Sequence, residues 1–474
     1  MKRPTPFPLA APGLRRRTLL QAAAAAGLAP RAAFAAARYP LYLPPIVASP
    51  SDYGLAAAPA QVNFGPTRGA AWAYNHQASG DSFPGPTFVA VAGSSVSVDF
   101  TNGLPLEASS VHWHGMVVET AQDGQPQDVV NPGQGRRYAF PIHQRAALNW
   151  YHPHPHMDTG EQVCLGLAGA FVVRDAEEAG LGLPGGSYEV PLIVRDANFD
   201  TADNLVYKPR RSGFVGKLPL VNGTRSATLD VAPELYRLRV LNGANARLFT
   251  LQLSQAGVAR PFWLIGNDGG LLARMDRISA IEFGPGERLD LLVDFRGLAV
   301  GTSLLLSDRA TGWDLLEFVV AAVDGGVPAT LKPKDGLPLS TISSLAGPDT
   351  PTRQFSFDGM SRINGKEYDM DRIDFTVPAG VVERWRLTTG GNAPHPVHVH
   401  GASFQVVSRS GGRARLFPWE GGWKDTVLLK DNETVDVWIR FDSGYTGPSH
   451  GRYLLHCHKL EHEDMGMMAN FVVV

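Results

Sequence analysis

Fourteen histidines stand among 474 residues, and a random arrangement would place roughly 0.4 pairs of them two apart. The sequence holds five such pairs: His112/His114, His152/His154, His154/His156, His398/His400 and His456/His458. On a strand, residues i and i+2 project to one face, so each pair aims two imidazoles at one point. Imidazole serves copper, zinc, iron and nickel alike, and the histidines alone do not name the metal. Cys457 adds what they lack. It is the middle residue of His456-Cys457-His458, so alternation turns its side chain to the opposite face. There it needs partners of its own. His395 precedes His398 by an odd offset of three, and His462 and Met467 lie just downstream. Two histidines, a thiolate and a long, weak methionine contact make a blue-copper electron-transfer site. Zinc would gain little from a thioether and would leave the histidine cluster without a purpose. One backbone segment, 456–458, then touches two metal centres, with Cys457 as the connection between them.

The elements that must position these residues read as strands. "TFVAVAGSSVSVDFTN" (87–102), "RLDLLVDFRG" (288–297) and "ETVDVWIRFD" (433–442) are rich in β-branched and aromatic residues in rough alternation. Gly 51 and Pro 36 supply the turns between them, and capped helical periodicity is scarce. All-β sandwiches are expected. An internal echo supports repetition: "RLRVLNGANA" (237–246) and "RWRLTTGGNA" (384–393) share Arg, Arg, Gly, Asn and Ala without gaps. The later copy runs into "PHPVHVHG" (394–401), the earlier one into the apolar "RLFTLQL" (247–253). Turn-rich stretches at 174–186 and 324–338 mark boundaries. The expected units are 38–175, with metal ligands, 176–328, without them, and 329–474, with both kinds of site.

Composition limits the rest. Hydrophobic residues at 44% and charged residues at 19% suffice for a packed core. A net charge of −2 argues against a general nucleic-acid binder, which needs a basic excess to displace counterions. Two cysteines cannot build a disulfide framework. Residues 1–37 read as an export signal: a basic stretch ending at Arg15, Arg16 and Arg17, an alanine-rich apolar run, and small-residue cleavage positions after Ala35 or Ala37. The paired arginines followed by Thr18, Leu19 and Leu20 resemble a twin-arginine signal, which exports folded proteins, here to the periplasm. No other run is long and apolar enough for a membrane span.

"HWHG", "WYHPHPH", "HPVHVHG" and "HCHKLEHEDMGM" resemble, in order, the four copper-binding motifs of multicopper oxidases, closest to the bacterial three-domain laccase-like and copper-efflux branch. "GLAGAFVV" (166–173) and "GWKDTV" (422–427) extend the likeness over nearly the whole chain past the signal. The resemblance implies three cupredoxin-like Greek-key sandwiches and four copper ions. His395, Cys457, His462 and Met467 would hold the type 1 copper, and His112 and His398 the type 2 copper. His114, His152 and His458 would hold one type 3 ion, and His154, His400 and His456 the other. Asp123 and Glu463 match acidic positions that deliver protons to the oxygen-reducing cluster. His156 is expected in a supporting role, and His76, His143 and His450 as ordinary histidines.

The implied reaction couples one-electron oxidation of a small donor to four-electron reduction of O2 to water, in a monomer. Copper-efflux relatives cover the type 1 site with a methionine-rich insert that holds Cu(I). Here the corresponding stretch, 339–362, carries a single methionine, Met360, and Gly391, Asn392 and Ala393 precede His395. Soft thioethers are what Cu(I) prefers, so phenols and aromatic amines are the expected donors, with Cu(I) oxidation for copper tolerance as the alternative. Some relatives of this fold have lost copper and serve as cell-division scaffolds. The full ligand set here points away from that role.

Overall fold

The computed structural model describes residues 37–49, 51–74, 83–391, 393–441 and 451–474. All but the last residue of the expected export segment, and also His76, Asn392 and His450, fall outside the described residues. Strands dominate, and their side chains alternate as the sequence requires. In Ser95–Asn102 every second residue is buried, the others being exposed or half-buried.

Three pairs of sheets enclose three apolar cores, as expected of cupredoxin-like sandwiches. In the first, a five-stranded and a four-stranded sheet pack Phe88, Trp113, Tyr151 and Phe171 against Leu55, Val98 and Tyr138. In the middle one, a six-stranded and a seven-stranded sheet share a core including Leu238, Leu264, Leu291, Leu306 and Phe318. The last joins two five-stranded sheets around Trp385, Val397, Val437 and Phe471. Residues 38–474 pack as one unit.

Two features refine the sequence reading. Tyr39–Pro40, inside the first expected unit, pairs in parallel with Ala227 and Thr228 and so extends a sheet of the middle sandwich. The two turn-rich linkers also pair with each other, Gly185 opposite Val327 and Gly186 opposite Gly326.

The internal echo has a structural cause. Its copies lie on Leu235–Asn242 and Glu383–Thr389, each paired in parallel with a preceding strand and antiparallel with a following one. The second arginine of each copy stands opposite an aspartate: Arg239 faces Asp290 and Arg386 faces Asp436. The Arg-x-Arg pattern therefore meets the same cross-strand carboxylate in both sandwiches, a pairing that favours this register.

Candidate metal centres

The histidines converge because two pairs of strands meet. In the first sandwich, His112–His114 runs antiparallel to Ala147–His152, with His112 opposite His152 and His114 opposite Trp150. In the last sandwich, His395–Val399 runs antiparallel to Arg452–Cys457, with His398 opposite His456 and Val397 opposite Cys457. Opposed residues share a face, so His398 and His456 point to one side while Cys457 points with Val397 into the apolar core. His395, of the same parity as Val397, goes with Cys457. The odd offset seen in the sequence has this consequence.

Between the first and last sandwiches the rings interleave. His112 stacks on His400 with centroids 4.0 Å apart, and His114 on His398 at 3.8 Å. His400 Nε2 lies 3.0 Å from His456 Nε2, and His458 Nε2 lies 3.1 Å from His114 Nδ1. His154, His400 and His456 form one compact group of ring nitrogens, and His112, His114 and His152 another. All eight side chains of the expected cluster are buried. Burial pushes the imidazoles of His114, His152, His154, His400 and His458 well below their usual range, and that of His398 down to about 4. Neutral imidazoles with free nitrogens are the form that binds metal.

Most outer nitrogens are engaged. His112 Nδ1 lies 2.8 Å from the Asp123 carbonyl, His398 Nδ1 2.9 Å from that of Asp425, and His152 Nδ1 2.8 Å from that of Pro153. Their Nε2 atoms are buried without a partner. Such orphaned, converging nitrogens fit a metal. His114 is reversed, its Nε2 held 3.1 Å from Asp425 Oδ1 so that Nδ1 faces the cluster.

Both expected acids are buried at the cluster. Asp123 bridges two rings, 2.8 Å from His400 Nδ1 and 3.3 Å from His112 Nδ1. Burial opposes its ionisation, but the His400 and His112 rings outweigh that and hold its carboxyl well below the usual range. Glu463 bridges another pair, 3.2 Å from both His154 Nδ1 and His456 Nδ1.

The second centre lies behind Cys457. Its sulfur is 3.4 Å from His395 Nδ1 and 3.7 Å from His462 Nδ1, and those nitrogens are 3.3 Å apart. A five-residue helix, Leu460–Asp464, turns the chain back so that His462 reaches the sulfur. Met467 is fully buried in the same core as Cys457, and its carbonyl accepts the Cys457 N–H at 3.1 Å. Burial lowers His395 to about 3 and His462 to about 2 and raises the Cys457 thiol to about 12, so a metal ion must displace that proton on binding. The donor set of two imidazoles and a thiol, with Met467 buried in the same core, fits copper.

Models of the multicopper oxidase family match residues 59–178 and 341–474. The chain belongs to this family. It is 31% identical to a multicopper oxidase of Staphylococcus haemolyticus over 82% of each chain, and 30% identical to a laccase of Bacillus subtilis, covering 85% of this chain and 90% of that one. It is also 31% identical to the cell division protein FtsP of Escherichia coli, covering 97% and 99%. Among solved structures, a multicopper oxidase of Pediococcus acidilactici superposes with a TM-score of 0.82 at 30% identity over 92% of both chains. A laccase-like multicopper oxidase of Ochrobactrum gives 0.77 at 34% identity, covering 92% of this chain and all of that one. Membership makes the chain an oxidoreductase and implies copper, O2 and a reducing substrate. Among the described residues, no helix is long and apolar enough to cross a membrane.

Sequence reasoning missed Asp425, Thr426 and Arg288. Asp425 and Thr426 lie in "GWKDTV", noted only for its resemblance, and Arg288 opens a strand of the middle sandwich. His156 stays outside both centres, half-buried against Tyr368 with ring centroids 5.3 Å apart. His143 is exposed and lines a cleft of about 400 Å³ at the junction of the sandwiches, which opens beside Gly115 and Gly401, the residues following His114 and His400.

Proposed function

We propose that this chain is a laccase-like oxidase of phenols and aromatic amines that reduces O2 to water. The observation that carries the reading is the buried ligand set: ten histidines and Cys457 gathered into two groups joined by residues 456–458. His395, Cys457, His462 and Met467 would hold the type 1 copper, and His112 and His398 the type 2 ion. His114, His152 and His458 would hold one type 3 ion, with His154, His400 and His456 on the other, making four in all. Copper, when bound, supplies one-electron oxidation of the donor and the four-electron reduction of O2. The protein supplies the arrangement: Cys457 links the two groups through its own main chain, and burial keeps the ligand side chains of both away from bulk solvent. Asp123 and Glu463 each sit against two cluster histidines, where a carboxylate can pass protons toward the site of oxygen chemistry.

The donor class rests on what surrounds His395. Met360 is the single methionine in 339–362, and the described residues Gly391 and Ala393 ahead of His395 offer no thioether for Cu(I). Relatives named laccase support the same class. The extent of the match to FtsP favours a second reading, a copper-free role in cell division, against which the intact ligand set speaks. Export to the periplasm by the twin-arginine route and a monomeric state complete the proposal, the former supported by the sequence of residues 1–37.

Steady-state O2 uptake by copper-loaded protein tests the donor. Uptake with a phenol and without added Cu(II) is expected. Strict dependence on Cu(I) or on added copper would assign the cuprous role, and colourless protein after loading would assign the scaffold.

A further inference from the structure

Arg288 belongs to the sandwich that carries no expected copper ligand, yet it is fully buried at the histidine cluster. A guanidinium has five N–H donors in a rigid fork, and here each has its acceptor. Nε donates to the Leu148 carbonyl at 3.0 Å, in the first sandwich. Nη1 donates to the Gly286 carbonyl at 2.9 Å and to Asp425 Oδ1 at 2.7 Å. Nη2 donates to the Asp268 carbonyl at 3.2 Å and to Asp425 Oδ2. One side chain thus ties main chain of the first and middle sandwiches to a carboxylate of the last.

That carboxylate touches the cluster. Asp425 Oδ1 lies 3.1 Å from His114 Nε2 and 3.5 Å from His398 Nδ1, and it accepts the Thr426 hydroxyl at 2.8 Å. The Asp425 carbonyl meets His398 Nδ1 at 2.9 Å. The surroundings are crowded: a Cβ on Gly115, the residue after His114, would fall 2.6 Å from Arg288 Nη2 and 3.0 Å from Asp425 Oδ2. Arg288 itself is anchored from behind. Its N–H donates to Asp268 Oδ1 at 2.8 Å, while Asp268 Oδ2 pairs with buried Lys424 at 2.9 Å.

We infer that Arg288 is a positioning residue for the histidine cluster, acting through Asp425 to fix the orientation of His114 and His398. This gives the middle sandwich a task in the metal chemistry: it supplies the fork that sets two ligands held by two other sandwiches. Carboxylates hydrogen-bonded to metal-ligating imidazoles, as Asp425 is here, usually change affinity by about 10–100-fold when lost, and Arg288 is what holds that carboxylate in place. Charge alone does not suffice, because a lysine ammonium offers three donors and no bidentate geometry toward a carboxylate.

The inference rests on the cluster binding copper, and its test separates the two ideas. Copper content, the blue band and the type 2 electron paramagnetic resonance signal are measured for wild type, Arg288→Lys and Asp425→Asn. The expected result is an unchanged blue band with copper released from the cluster to a chelator about 10–100-fold faster, and an altered type 2 hyperfine splitting, in both variants. Wild-type release and splitting in folded Arg288→Lys would overturn the positioning role. Should Arg288→Lys not fold, Asp425→Asn, which keeps the side chain's shape, decides by the same readings. A wild-type chain that binds no copper would refute the proposed function instead. The positioning role is then read in metal-free protein from imidazole nitrogen shifts, where His114 should carry its proton on Nε2 in wild type and lose that preference in Asp425→Asn. The same shifts in both would overturn it.

Discussion

Cys457 is the residue on which both centres depend: its sulfur belongs to one group and its two chain neighbours to the other. Cys457→Ser should therefore abolish the blue band and turnover while the histidine cluster keeps its copper, measured by absorption and metal content together. Loss of all copper would mean that the two groups are not separable sites. Asp123 and Glu463 make a different prediction, because they touch rings without competing for the inward nitrogens. Asp123→Asn or Glu463→Gln should slow O2 reduction by roughly 100-fold, the scale of lost proton transfer, with copper content unchanged. Full O2 uptake at every pH would remove them from the relay. Residues at this scale were legible where spacing carried the information, as in the His-x-His pairs and the cysteine between two of them. Asp425 and Arg288 were not legible, since a single aspartate and a single arginine have no spacing to read and they meet only in three dimensions, 137 residues apart in sequence.

The elements that hold these residues are short and held by neighbours. Helix Leu460–Asp464 carries His462 and Glu463 and is too short to be stable alone. Its last residue docks it on the first sandwich: the Asp464 carboxylate accepts the N–H groups of Thr159 at 2.9 Å and Gly160 at 2.8 Å, the first turn of helix Thr159–Leu165. A carboxylate from one helix thus caps another, and Asp464→Ala should cost about 1–2 kcal/mol, read as a fall in melting temperature. An unchanged melting temperature would show that docking relies on apolar contacts alone. Alternating strands were plain in the sequence because period-two burial writes itself into residue types, as in Ser95–Asn102. The two helices were not, because neither spans enough residues to show a 3.6-residue period.

For the whole molecule, burying the clusters between and within sandwiches has a cost that pH exposes. The metal-free fold holds His398, His395 and His462 near 4, 3 and 2, against 6.5 for an exposed imidazole. The unfolded chain therefore takes up protons that the folded chain refuses, and stability falls as pH drops below about 6.5. Each such histidine contributes about 1.4 kcal/mol per pH unit across that window. Metal-free protein should lose melting temperature steadily from pH 7 to pH 5, and a flat profile would mean that the rings are solvated. Three sandwiches and their repetition could be anticipated from strand pattern and the Arg-x-Arg echo. The middle sandwich's part in the metal site could not, since its own sequence carries no metal motif. Both groups are proposed to be working copper sites, and copper per folded chain after loading and removal of excess metal tests that proposal most plainly. About four ions are expected, with an intense blue colour. A colourless chain retaining fewer than one ion would contradict it.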